Sequence, residues 1–258
     1  MGSASDWGSS FGDTAGSEQG GDESQAVSPR GRQRAWSYSS LKDYESCPHR
    51  IKLKLEKAPV PQQEEENRGT VVHRLCEEFV KGGIDELPRE LRKFEEQFWE
   101  DRDAFIAGTM EVEQEWGFDQ DWEQCSWYEA WLRVKCDQVH HLAEHELRIT
   151  DHKTGKKFGN EVPHLQQAQL YALSAFMRYP KVESIETEMR YLDEGKRTLK
   201  LWSRDKDCAR LLAQYTKRVG FYQVDSILKP NPNRMNCKYC RYGVTNGSSA
   251  CAHAIPWE

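Results

Sequence analysis

The sequence predicts an α/β chain with a central mixed β-sheet flanked by helices, and three observations carry that prediction. Apolar residues recur at helical spacing in the stretches that follow residues 39 and 69. Between residues 112 and 153 the pattern changes to strand-like runs. Beyond residue 160 helix-like and strand-like segments alternate again. The resulting order of helix, β-meander, helix, strand and helix is that of an α/β sandwich.

Each element follows from its residues. Residues 1–34 are dominated by Gly, Ser, Asp, Glu and Gln. They bury too little apolar surface to offset the entropy of ordering, so a disordered N-terminal tail is expected there. The remaining residues, 35–258, have room for one compact domain. Ser37-Tyr-Ser-Ser supplies a cap for a helix starting near Ser39 or Ser40, with Asp43 in its first turn and Leu41, Tyr44, Cys47 and Ile51 as its apolar positions. A second helix starts near Gly69 and Thr70, with the stripe Val72, Leu75, Cys76 and Phe79. His73 and Glu77 lie one turn apart on a neighbouring face. Residues 84–108, rich in Glu, Arg and Phe, form one or two amphipathic helices that cover the sheet. Strands are expected over 112–118, 131–137 and 147–153, the last two forming an antiparallel hairpin through a polar link over 140–146. A helix over 164–177, a strand over 185–192 and a final helix over about 203–228 complete the chain.

Composition narrows the function. The charge of −6 excludes a protein that holds nucleic acid by bulk electrostatics, so any such contact must use a local groove. Without an apolar run of about 18 residues or a secretory signal, a soluble, cytoplasmic protein with reduced thiols is expected.

The segment Ile149-Thr-Asp-His-Lys-Thr-Gly155 is the most informative in the chain. Asp151 and Lys153 are two apart and project from one face of a strand, holding a carboxylate beside an ammonium. Phosphodiester cleavage needs a divalent cation on the phosphate and a nearby amine to orient the attacking water. One carboxylate rarely holds Mg²⁺, and Asp137, ending the first arm of the hairpin, is placed to be the second. Alone, such a D-x-K pair is more often a solvated charge pair than a catalytic one.

The span Val134-Lys-Cys-Asp137 through Asp151-His-Lys153 resembles the (G/V)xxD … (I/V)xDxKTG pattern of PD-(D/E)XK nucleases in their RecB-like, CRISPR-associated-exonuclease-like branch. In that family's order, Ser37-Tyr-Ser-Ser-Leu41 with Tyr44 and Cys47-Pro48 is similar to its SxSxLxxYxxCP opening, Gly69 to His73 to its GxxxH helix, and Gln167 to Tyr171 to its QxxxY helix. The resemblance implies a restriction-endonuclease-like core. It implies a Mg²⁺- or Mn²⁺-dependent DNA exonuclease of recombination or repair; the small size without a fused helicase suits a phage setting, and the host cytoplasm if the protein is phage-encoded. It assigns His73, Asp137 and Asp151 as metal ligands and Lys153 as the catalytic lysine, with Gln167 and Tyr171 near the substrate or supporting the lysine. Glu113 matches a less constant acidic position of the family, and Glu77 has only helix geometry in its favour.

Cys237-Lys-Tyr-Cys240, with Cys251 eleven positions on, is a two-thiolate clamp suited to Zn²⁺ or an iron–sulfur cluster. In relatives of this branch that carry a [4Fe–4S] cluster the fourth ligand is a distant N-terminal cysteine, and the resemblance puts Cys47 there. Zn²⁺ with Cys47 or His253, or no metal, are the alternatives, and the Cys240–Cys251 interval is longer than the family's. Cys76, Cys125, Cys136 and Cys208 read as small buried apolar residues.

The basic stretch from His49 to Lys57, with Lys196, Arg197 and Lys200, is a candidate DNA path, and Trp127, Tyr128 and Trp131 are candidates for stacking on bases. DNA with free ends is the expected partner, with a helicase or recombinase as a possible second. The competing class is a non-catalytic DNA-binding or scaffold module stapled by the cysteines.

Overall fold

The computed structural model describes residues 34–61 and 67–256, so the tail expected over 1–34 lies, save for Arg34, outside the described residues. The order is α1 (Tyr38–Ser46), α2 (His49–Leu55), α3 (Arg68–Val80), α4 (Glu95–Ile106), β1 (Met110–Phe118), β2 (Gln124–Cys125), β3 (Leu132–Ala143), β4 (Glu146–Lys153), α5 (Glu161–Arg178), β5 (Ser184–Tyr191), β6 (Lys196–Ser203), α6 (Ala209–Val224) and α7 (Arg234–Lys238). The strands form one sheet in the order β2-β1-β3-β4-β5-β6. Every pairing is antiparallel except the parallel β4–β5 pair, whose crossover is α5. This is the α/β, restriction-endonuclease-like architecture expected, a mixed sheet between helices.

Two cores lie on opposite faces. Leu147 and Ile149 of β4 pack with Ala168, Tyr171, Ala172 and Ala175 of α5, and with Leu41 of α1 and Tyr215 of α6. The alanines let α5 lie close on the strands. On the other face Val72, Cys76 and Phe79 of α3 pack with Phe98 of α4 and with Met110 and Val112 of β1.

Four local expectations are corrected. Helix α1 begins one residue earlier, because Ser37 caps it by accepting from the Ser40 amide, and Asp43 falls beyond its first turn. The β3–β4 hairpin is longer, with His140 and His141 paired to Arg148 and Leu147, so the link shrinks to Glu144 and His145. The helix expected from residue 203 begins as a wide π-type turn over Arg204–Cys208 and becomes α-helical at Ala209. Strand β6 was not foreseen, because its exposed Lys196, Arg197, Leu199, Lys200 and Leu201 follow edge-strand rather than core chemistry. Cys76 and Cys136 are buried as expected, whereas Cys125 and Cys208 are only half-buried.

Candidate metal centre and active site

The site is made by a fork in the sheet. Strand β3 pairs with β4 from Gln138 to Ala143, but its earlier half, Leu132 to Cys136, leaves β4 and pairs with β1 and, at Leu132, with Trp36 through a single bridge. Strand β4 continues past the fork as Asp151, His152 and Lys153, paired only with Met189, Arg190 and Tyr191 of β5. Backbone groups at a fork lose their ladder partners and must find others. The His152 amide does so by donating to Asp137 Oδ2 at 2.7 Å, which fixes that carboxylate in the gap.

Strand β1 bends at the same level. Glu113 has φ 51°, a left-handed conformation that costs a non-glycine residue about 1–2 kcal/mol. Met110 and Val112 before it face the α3–α4 core, while Trp116 and Phe118 after it face the other. Strand β3 switches likewise, with Val134 and Cys136 in the α5 core, Gln138 bonded to Asp101 of α4 and Val139 back in the α5 core. The roll of both strands brings Glu113 and Asp137 to one place.

Ligand atoms of His73, Glu113 and Asp137 lie within 4.8 Å of one another, compatible with a hard cation whose ligands stand about 2 Å from it. His73 Nδ1 is 3.3 Å from Asp137 Oδ1, a contact that raises the imidazole's pKa. Burial, and then the charge of Asp151, push the Asp137 carboxyl upward. Lys135 Nζ stands 2.7 Å from Glu113 Oε2, so the acidic group already attracts positive charge. The residues therefore suit a divalent cation. Glu113, for which sequence gave only a weak reason, belongs to this group, while Glu77 is engaged by Lys81 at 2.6 Å.

Asp151 faces α5. Its Oδ1 accepts from the Tyr171 hydroxyl at 2.6 Å and from Gln167 Nε2 at 3.2 Å, and its Oδ2 is 2.6 Å from Lys153 Nζ. Lys153 Nζ also donates to Gln167 Oε1 at 2.9 Å. Burial and the Asp151 charge hold the Tyr171 phenol well above its ordinary pKa, so it remains a donor. All six residues expected at the site thus adjoin the fork, in two connected groups.

Behind it lies a charged network that sequence reasoning missed. Arg190 bonds Asp101 and, at 2.9 Å, Glu188 Oε2; Thr150 donates to Glu188 at 3.1 Å, and Gln138 to Asp101 at 3.1 Å. Phe98, below the Arg190 guanidinium, lies against the His152 ring with centroids 5.3 Å apart. Burial and Arg190 push the His152 imidazole well below its usual pKa, so it packs there neutral. The alternation Glu188-x-Arg190 was the available signal, but charged residues in a strand ordinarily read as solvent-facing.

Two adjoining cavities of about 500 Å³ each open at the fork. One holds His73, Glu113, Asp137 and Asp151; the other continues past Lys153 to Tyr38, Lys42, Trp127, Arg133 and His164. Besides Lys153, the lysines and arginines here are Lys42, Arg133 and Lys135, and none of residues 49–57 lines either cavity. His49 is instead buried near the cysteines. Of the three aromatics, Trp127 lines the cavity under the Arg133 guanidinium, Tyr128 is exposed, and Trp131 packs against Trp36 and Trp122.

His164 has its pKa pushed down to about 4, chiefly by burial and then by the Lys153 charge. The folded protein therefore binds fewer protons there than the unfolded chain between about pH 4 and 6.5, and its stability falls as pH drops through that window. His164→Gln is expected to flatten the dependence of Tm on pH across it; an unchanged slope would show that the ring does not titrate this way.

Cys47, Cys237, Cys240 and Cys251 all line one small cavity at the far end of α1. The loop after Cys240 winds tightly, with Cys251 N donating to Tyr242 O and Ser249 N to Gly243 O. A Cβ at Gly247 would stand 2.5 Å from the Cys240 carbonyl, so only glycine fits that turn. The long Cys240–Cys251 interval is thus folded back onto the clamp. Cys47 Sγ accepts from the Asn231 amide at 3.3 Å.

Among the described residues no helix is long and apolar enough to cross a membrane. No curated protein matches the sequence. Similar solved structures include SSO0001, at 13% identity over 89% of this chain and 92% of that one with a TM-score of 0.44. A provisionally named exonuclease from Eubacterium rectale is 13% identical over 88% and 95% of the two chains, with a TM-score of 0.45. The model of the PD-(D/E)XK nuclease superfamily, whose members use divalent metals to hydrolyse phosphodiesters, matches residues 35–244, and the chain belongs to that superfamily.

Proposed function

We propose that this protein is a Mg²⁺- or Mn²⁺-dependent DNA nuclease that digests strands from free ends, in recombination or repair as the RecB-like motifs imply. The observation that carries the reading is the convergence of Glu113, Asp137 and His73 at the strand fork, with Asp151 and Lys153 beside them. Two carboxylates suit a hard cation, and the imidazole is the softer ligand. Such a cation supplies charge stabilisation for the scissile phosphate and acidifies a water.

The chain's own residues do the rest. Lys153 is held by Asp151 and Gln167, which use two of its three N–H donors and leave one for a water or phosphate oxygen. Tyr171 and Gln167 fix the Asp151 carboxylate so that it does not swing away. Lys42, Arg133 and Lys135 supply the local positive charge that the acidic chain lacks overall, and Trp127 offers a face for a base. The cavity, about 500 Å³, is of nucleotide scale, which favours a single strand. The test compares labelled linear and closed-circular single-stranded DNA in Mg²⁺. Loss of the linear form alone supports digestion from ends, whereas cutting of the circle means an endonuclease.

The four cysteines are proposed to hold a [4Fe–4S] cluster that joins the two ends of the domain over residues 35–258. The reading is supported by all four thiols lining one small cavity. Anaerobically purified protein is expected to be brown and to contain iron rather than zinc. A colourless preparation that cuts DNA would remove the cluster and leave the nuclease.

A further inference from the structure

A further cavity, of about 170 Å³, lies between α5 and the β5–β6 hairpin, outside the metal centre. Ala168 and Met189 give it a buried apolar floor, Leu165 is a partly exposed part of its lining, and Lys157, Lys200 and one carboxylate, Glu161, also line it. It adjoins the catalytic cavity through one side chain, since His164 lines both. His164 Nδ1 is hydrogen-bonded to the Tyr191 hydroxyl at 2.8 Å, which locks the ring as a partition between the two spaces. Neither Lys157 nor Lys200 forms an ion pair among the described residues, so both ammonium groups are available to anions.

The turn after Lys153 is braced by Asn160 N donating to Lys157 O at 2.9 Å and by the Lys157 amide donating to Glu194. The braced turn leaves Phe158, next to Lys157, 88% exposed. An exposed aromatic next in the chain to an amine offers an unpaired strand a ring for a base and a charge for a phosphate. The volume fits one flat heterocycle and is too small for a base pair.

On the reading of the protein as a DNA nuclease, we infer that this cavity is a base-binding subsite for single-stranded DNA. One unpaired base enters between His164 and Met189, its flanking phosphates rest on Lys157 and Lys200, and the adjoining nucleotide lies at Lys153. The subsite sets how the strand is registered against the metal centre, and duplex DNA, whose bases are paired, does not fill it.

The test is binding of short single-stranded oligonucleotides with Ca²⁺ in place of Mg²⁺, a larger cation of the same oxygen preference. One abasic position is stepped along the strand. In the wild type the Kd is expected to rise about tenfold at one register only, the scale of one lost base contact. Leu165→Trp, a larger side chain at a partly exposed position of the lining, should weaken binding of the intact strand by a similar factor and abolish the abasic penalty. Lys157→Ala/Lys200→Ala, at the surface and indifferent to packing, should raise Kd and flatten its salt dependence. A penalty at no register, or an unchanged Kd and salt slope in the double variant, would overturn the subsite. Because binding is read, failure of the nuclease reading would appear separately, as absent hydrolysis in Mg²⁺ with the single-register penalty intact.

Discussion

Asp151→Asn is expected to reduce DNA cleavage by about three powers of ten or more while leaving the fold intact. The carboxylate is 3% exposed, is bonded by Tyr171 and Gln167 and lies 2.6 Å from Lys153 Nζ. Its loss removes a negative group beside the cation and releases the amine. Metal-assisted charge stabilisation contributes several kcal/mol to such a reaction, and each 1.4 kcal/mol is tenfold in rate. The amide keeps the shape and relieves the charge that raises the Asp137 carboxyl, which offsets part of the lost Lys153 pairing, and the amine, 19% exposed and still bonded to Gln167, keeps access to water, so the thermal midpoint should move by only a few degrees. Single-turnover cleavage and a melting curve on the same preparation check both halves. A Tm drop of many degrees would mean that Asp151 is structural.

Arg190→Met should have the opposite profile, a large loss of stability. The guanidinium is 2% exposed and pairs with both Asp101 and Glu188, themselves 5% and 1% exposed, while Arg197 also reaches Glu188 at 3.4 Å from the surface. Removing one partner of a buried ion group leaves uncompensated charge and costs about 3–5 kcal/mol. In a chain of this size that lowers Tm by roughly 10 °C. The triple replacement Asp101→Leu/Glu188→Leu/Arg190→Met should recover much of the loss, because replacing the whole group with apolar residues avoids the unpaired charges. Differential scanning calorimetry of the two variants checks this, and equal destabilisation would mean that packing on Phe98 rather than charge is what Arg190 provides.

How much of this was legible in the sequence differs from residue to residue. Asp151 and Lys153 were readable because a two-residue period puts both on one strand face, and Asp137 because hairpin pairing brings it alongside. Ser37 was readable as a cap. Glu113 was only faintly visible, since its role depends on a left-handed kink that no local pattern encodes. Lys135 alternates with Val134 and Cys136 as any solvent-facing residue would, and only the roll of β1 and β3 turns it toward Glu113. Strand β6 was hidden because its edge position leaves most of its residues exposed. The Cys240–Cys251 interval looked too long until the tight turn at Gly247 shortened it in space.

The central claim is that the forked strands form a divalent-cation centre that breaks phosphodiester bonds. It is tested most directly by degradation of end-labelled linear single-stranded DNA across a Mn²⁺ titration, with wild type and Asp137→Asn side by side. The account predicts no cleavage in chelator, saturable cleavage by the wild type, and a much weaker response to Mn²⁺ in the variant. Cleavage that persists in chelator, or that is equal in the two proteins, would contradict it.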